Sequence, residues 1–429
     1  MTSSRRPPQL VVETREIEHV DDLLAYASPD EPLAWLRRGD GIIGIGSVGG
    51  YERGPLLPAP ADAPSPADVW RRLATTAEVD DPVGLPGTGL VAFGTLVFDE
   101  RSSATSRLIV PQAVVGRHRG RSWVTRIHSV GTDLEQPVVE PTPYGPHWSA
   151  TLGPGTMDPP AYQAAVRAAV EAIRAGELEK VVLARDLVGT IPAGADLRRL
   201  VRALAHDYPD TWTFAVDGMI GASPETLVTV SRGVVTARVL AGTIPRGTDA
   251  HDDAEASASL AHSDKDLGEH RFAVQSVLDA LGPHVSHLRA DPEPFTLKLP
   301  NLWHLATDVA GDLADHASSL DLVATLHPTA AVAGTPTDAA LDAIRRLEPF
   351  DRGRYAGPVG WVDGDGNGEW AIALRCAQIG AAPVRRYAEY TDTIPVVAHA
   401  GAGIVAASDP ESELLETRVK FRPIVDALA

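Results

Sequence analysis

Only one cysteine, Cys376, occurs among the 429 residues, so no disulfide can form within the chain. A reducing, cytoplasmic setting is the expectation. Long apolar runs are also missing, and no segment approaches the roughly 18 residues that a membrane span needs. The N-terminal stretch MTSSRRPPQLVVETRE has no sustained apolar region and does not read as a signal peptide. Basic residues are outnumbered, 38 Lys and Arg against 57 Asp and Glu, for a formal charge of −19. Nucleic-acid surfaces carry basic patches, and anionic membranes attract them, so neither partner is expected. An anionic small molecule is compatible, provided local cations overcome the overall field.

What is present is a soluble globular composition, 44% hydrophobic and 22% charged. Length alone suggests two or three domains, although some folds of this size are one unit. Residues 1 to about 150 mix short β-like runs (GDGIIGIGSVGG, GLVAFGTLVF, RLIVPQAVVGRH, SWVTRIHSV) with Pro/Ala-rich loops such as LLPAPADAPSPAD. They predict antiparallel sheet with few strong helices. EQPVVEPTPYGPHW then marks either a domain boundary or a long surface connection.

Beyond it, Tyr162, Ala165, Val166, Ala169, Val170 and Ile173 form one helical stripe, with Gly176 as a C-terminal stop. LEKVVLARDLVGT reads as a strand, and residues 211–243 as several strands with tight turns. Asp264 to Leu281 is helical, with Ser263 and Asp266 spaced as a capping box. Asp409-Pro410 starts a final helix. Irregular alternation of strands and helices favours a mixed α+β architecture over a doubly wound parallel sheet.

Two motifs fail on context. Gly44-Ile45-Gly46-Ser47-Val48-Gly49 matches a dinucleotide fingerprint, but GYERGPLLPAP cannot supply the helix that must follow. Asp363 to Gly368 resembles the front of a calcium loop, yet Leu374 stands where a bidentate Glu is required.

Other constellations carry chemistry. Lys180 opens an otherwise apolar strand, an unusual place for a lysine. Glu269 shares a helical row with the small residues Ala273 and Ser276, which leaves room for an ion or ligand. Glu413, Glu416 and Lys420 project from one helical face. The plain reading there is a surface ion pair, and the functional one a magnesium site with a cation beside it. LAGT and HAGAGI offer glycines whose amides can approach an anion. Glu225, after Pro224 in SPET, is placed where desolvation would suit it to general acid work.

In order along residues 160–425, KVVLAR, SPE, LAGT, SDKDLGEH, HLAT, LHPTAAVAG, RYAGPVGW, LRCAQI, GAGI and ExxETxxK resemble the chorismate-utilising enzymes. The resemblance implies their aminodeoxychorismate-synthase-like fold, with large mixed or antiparallel sheets and helices packed outside. A β-rich part, residues 1–155, would pack into the same unit as the chorismate-binding catalytic region, 156–429. Lys180 is similar to the water-activating lysine of isochorismate and salicylate synthases, where ammonia-using relatives carry glutamine. Ala241 stands where aminodeoxychorismate synthases have a nucleophilic lysine. Ala331 resembles the alanine of isochorismate synthases, where pyruvate-eliminating relatives tend to have threonine.

The implied activity is chorismate to isochorismate, with salicylate synthase as the alternative. A non-catalytic metabolite-binding relative is the alternative of another class. By the same resemblance, Lys180 is the base and Glu225 the acid, and His304 lies near the reacting edge. Glu269 and Glu416 would hold Mg²⁺, with Glu413 beside them. Ala331, Tyr355, Arg375, Lys420 and the amides of Gly242, Thr243, Gly401 and Gly403 would contact substrate. No glutamine amidotransferase partner is implied, and a monomer is the simplest expectation. The product would serve menaquinone, siderophore or salicylate synthesis, among which the residues do not choose. The stretch between LRCAQI and GAGI, with Arg385-Arg386, is longer than the family usually has.

Overall fold

Alternating side chains give the strands two faces, and two large sheets bury the bulkier of them. The computed structural model describes residues 9–54, 64–131, 135–380 and 392–429. A 13-stranded sheet includes Leu33–Arg37, Lys180–Pro192, Trp212–Val216, Met219–Ser223, Cys376–Ile379 and Thr393–Ile404. A 10-stranded sheet includes Val91–Thr95, Thr226–Ser231, Val234–Pro245, Leu302–Leu313, Pro358–Asp363 and Gly368–Ile372. Trp35, Trp123 and Phe214 from the first sheet share one core with Phe93, Trp361 and Trp370 from the second. The opposite face of the 13-stranded sheet presents Ala34, Leu36, Ala215 and Ala398. Leu200, Val201 and Leu204 of the Arg198–Asp207 helix and Phe421 and Ile424 of the Pro410–Leu428 helix cover it. This is the period-2 pattern of a sheet covered on both sides.

The N-terminal strands enter both sheets. Leu33–Arg37 pairs with Trp212–Val216, and Val91–Thr95 pairs with Pro358–Asp363. Residues 135–150 carry no helix or strand. They are a connection pinned to the body, with Arg198 donating to Thr142 Oγ1 (2.7 Å) and Trp148 Nε1 to the Asp196 carbonyl (3.0 Å).

Several elements differ from the sequence reading. A helix, Pro66–Thr76, begins inside the Pro-rich stretch read as loop; Ser65 and Asp68 form its capping box and Pro66 is its first residue. Helices Ala250–Ala261, Ser319–Leu326 and Thr337–Leu347 are further elements that the motif pattern did not specify. The rejected motifs are strand–turn–strand segments: Gly44–Gly49 links Asp40–Ile45 to Gly49–Arg53, and Asp363 accepts from the amides of Asp365 and Asn367 in a hairpin turn. The lengthened segment with Arg385 and Arg386 falls in 381–391, outside the described residues. Among the described residues no helix is long and apolar enough to cross a membrane.

Candidate active site

The chain changes sheets twice at one place. Pro224 and Glu225 link Met219–Ser223 of the larger sheet to Thr226–Ser231 of the smaller. Ala373, Leu374 and Arg375 link Gly368–Ile372 of the smaller sheet back to Cys376–Ile379 of the larger. Each crossing braces the other. The Ile372 amide donates to the Glu225 carbonyl (3.1 Å), and the Ala222 amide to the Arg375 carbonyl (3.2 Å). Side chains at such crossings leave both pleated faces, and Glu225 and Arg375 both line a cavity of about 420 Å³. All of the site residues predicted from the sequence line this cavity except Lys180.

Glu225 is 7% exposed. Burial pushes its carboxyl up to about 7, against the opposing charges of Lys180, Lys420 and Arg375. Arg375 is also buried, with a left-handed backbone (φ 50°), and burial lowers its pKa. Its guanidinium lies 3.4 Å from His304 Nε2, and among the described residues it forms no ion pair with a carboxylate. A buried guanidinium without a counter-ion is costly unless an anion joins it.

His304 lies opposite a bulge. Leu240 pairs with Ala306 and Thr243 with His304, so Ala241 and Gly242 bulge out, with Gly242 at φ +83°. His304 Nδ1 lies 3.0 Å from Thr243 Oγ1 and 3.3 Å from the Gly242 carbonyl. Burial, aided by Arg375 and Lys420, holds the imidazole well below its ordinary pKa, so it is neutral. Arg375 can only donate, so Nε2 accepts and Nδ1 carries the proton.

Carboxylates face the cavity from two helices, Glu269 and Asp266 from Asp264–Leu281, and Glu413 and Glu416 from Pro410–Leu428. Two of them are held by lysines. Lys180 Nζ is 2.8 Å from Glu269, and Lys420 Nζ is 2.6 Å from Glu416 and 2.9 Å from the Gly401 carbonyl. Lys180 is 5% exposed and reaches the cavity through Glu269. Gly403 makes that possible, because a Cβ there would sit 2.7 Å from Glu269 Oε1 and 3.1 Å from Lys180 Cε. Among the described residues no three His, Cys, Asp or Glu side chains are gathered into a preformed metal cage.

Sequence reasoning missed the supports. Arg352, on the cavity wall, donates to the carbonyls of Val182 (2.7 Å) and Val332 (3.0 Å) and pairs with Glu348 (2.6 Å). Glu348 in turn accepts from the Ala184 amide at 2.8 Å. His270 pins Glu269's helix, lying 3.2 Å from the Ala241 carbonyl and 2.8 Å from Thr307 Oγ1. His270 was visible in SDKDLGEH, whereas Arg352 has partners from distant segments and no local signal.

The fold and cavity define a class: an α+β enzyme whose pocket brings buried cations and a buried, proton-holding carboxyl together. Comparison with known proteins gives the family. Residues 2–429 match the family described as "Chorismate binding enzyme". The chain is 36% identical over 352 residues to isochorismate synthase DhbC of Bacillus subtilis (strain 168), covering 78% of this chain and 80% of that protein. It is also 36% identical to MenF of Mycobacterium tuberculosis (strain H37Rv), covering 80% of this chain and 87% of that one. The crystal structure of DhbC from Bacillus anthracis superposes with a TM-score of 0.73 at 30% identity, covering 95% of this chain and 98% of that one. The chain belongs to the chorismate-binding enzymes.

Proposed function

We propose that the chain is an Mg²⁺-dependent isochorismate synthase, converting chorismate to isochorismate by adding water at ring C2 and expelling the C4 hydroxyl. The observation that carries this is Glu225, a buried carboxyl with pKa pushed up to about 7 on the wall that also carries Arg375 and Lys420. Hydroxide is a poor leaving group near neutral pH, and a carboxyl protonated there can deliver the proton it needs. Each of the two proton transfers is worth about 10²–10⁴-fold.

Lys180 is the base that takes a proton from the attacking water, and its contact to Glu269 aims the amine at the cavity. Arg375 and Lys420 bind the substrate's carboxylates, with the backbone of Gly242, Thr243, Gly401 and Gly403 around them. Neutral His304 stays oriented by Thr243 and Gly242 beside the reacting edge. Ala331 keeps the wall small, and Tyr355, stacked on His399 at 5.0 Å, closes it.

The donor set fits a hard cation, because Glu269, Glu413 and Glu416 offer only oxygen. Mg²⁺ takes one or two carboxylates and leaves positions for water and substrate, so these side chains need not form a complete cage by themselves. When bound, Mg²⁺ supplies positive charge that holds the ring carboxylate. With water as the nucleophile, no ammonia-supplying partner is needed.

Incubation with chorismate and Mg²⁺, followed by chromatography, tests the reaction. Isochorismate as the sole product supports it, and salicylate plus pyruvate would make the chain a salicylate synthase instead. EDTA should abolish turnover and Mg²⁺ restore it, and full activity without metal would remove Glu269 and Glu416 as ligands. Lys180→Gln should lose water addition while remaining folded by circular dichroism.

A further inference from the structure

Behind Glu225 lies a second, much smaller cavity of about 10 Å³. That is close to the least space that holds one water. Glu225 and Ala331 line both cavities, so Glu225 forms part of the partition between them. Thr329 faces only the small one, is 6% exposed, and its hydroxyl has no hydrogen-bond partner among the described residues. Buried hydroxyls in folded proteins have a partner, from the protein or from ordered water.

The other polar side chains around this cavity are committed elsewhere. Thr226 Oγ1 accepts from Trp212 Nε1 at 2.9 Å, and Arg238 grips Asp308 through two bonds of 2.6 and 2.8 Å. Leu227, Ala237, Val239, Ala273 and Val277 are apolar. The Thr329 hydroxyl is the one without any partner among the described residues, and it shares the cavity wall with the Glu225 carboxyl.

We propose that Thr329, through one ordered water in this cavity, fixes which oxygen of the Glu225 carboxyl carries the proton. A protonated carboxyl has one donating and one accepting oxygen. The water, held by Thr329, donates to the rear oxygen, so the O–H stays on the oxygen that faces substrate. Thr329 is thus a positioning residue for proton delivery, and its role rests on the reading of Glu225 as the general acid.

The charged and titratable groups around Glu225 are Lys180, Arg375, Lys420 and, at the small cavity, Arg238; Asp266, Glu269, Glu413, Glu416, Arg352, Tyr355 and neutral His304 share the lining of the main cavity with it. None of them changes in Thr329→Val. A hydrogen bond donated to a carboxylate favours its charged form, so losing the water raises the Glu225 pKa.

Thr329→Val should therefore lower the plateau kcat roughly tenfold, leave KM unchanged, and move the alkaline limb of the kcat profile to higher pH. Thr329→Ser, which keeps the hydroxyl, should restore both. A Thr329→Val enzyme with wild-type kcat and an unmoved limb, or a Thr329→Ser enzyme as impaired as it, overturns the proposal. Glu225→Gln in the same assay separates the two levels. If it is inactive, these outcomes judge Thr329 alone; if it stays active, the acid assignment and this proposal fall together.

Discussion

Glu225 and Arg375 are buried against their electrostatic interest, and the cavity between the sheets gives both a use. Glu225 has a folded pKa of about 7 in place of the usual 4.5. With the folded value raised, the stability it contributes is complete below its unfolded pKa and is lost as pH rises through about 7. Glu225→Gln cannot ionise, so its melting temperature should gain on the wild type as pH climbs from about 5 to about 8. Its kcat should meanwhile fall about 10²–10⁴-fold. Equal melting curves across that range would show that the carboxyl is not held in a dry setting. Arg375→Met makes the complementary case. It removes a buried charge that has no carboxylate partner among the described residues, so stability should rise, while KM for chorismate should increase roughly ten- to hundredfold, the worth of about 1.5–3 kcal/mol of charged hydrogen bonding. Unchanged KM by steady-state kinetics would remove Arg375 from the binding site.

At the scale of elements, the site depends on a few braces. Arg352 ties the strand that carries Lys180 to the Ala331 loop through the carbonyls of Val182 and Val332. Removing it leaves Glu348 buried without its cation, so Arg352→Met should cost about 3–5 kcal/mol in urea unfolding. A loss under 1 kcal/mol would mean that the brace is dispensable. The helices bearing Glu269 and Glu416 were legible in sequence because their caps are local, Ser263 with Asp266 in one and Asp409-Pro410 in the other. Lys180, Glu225 and Arg375 were legible because each sits within a short linear motif. Arg352 was not, since its role is made by three segments that only folding brings together. The Pro66–Thr76 helix was hidden for a different reason: its start signals, Ser65, Pro66 and Asp68, are embedded in a run whose prolines and alanines read as loop.

Across the whole molecule, the two sheets do more than enclose a core. The chain passes between them at several places, and at one seam two neighbouring crossings carry Glu225 and Arg375 to the cavity wall. Sequence periodicity could mark strands but not that seam, because which strands share a sheet depends on pairings such as Thr213 with Leu36 and Val359 with Thr95. A chain of formal charge −19 has no long-range attraction for a dianion, so binding must come from short-range cations inside the cavity. The proposed reaction uses water as nucleophile and the C4 hydroxyl as leaving group. Turnover of chorismate in ¹⁸O-labelled water tests it most directly. Early-time isochorismate should carry one heavy oxygen, at C2, with the original C4 oxygen released to solvent. Isochorismate that retains only its unlabelled oxygens would contradict it.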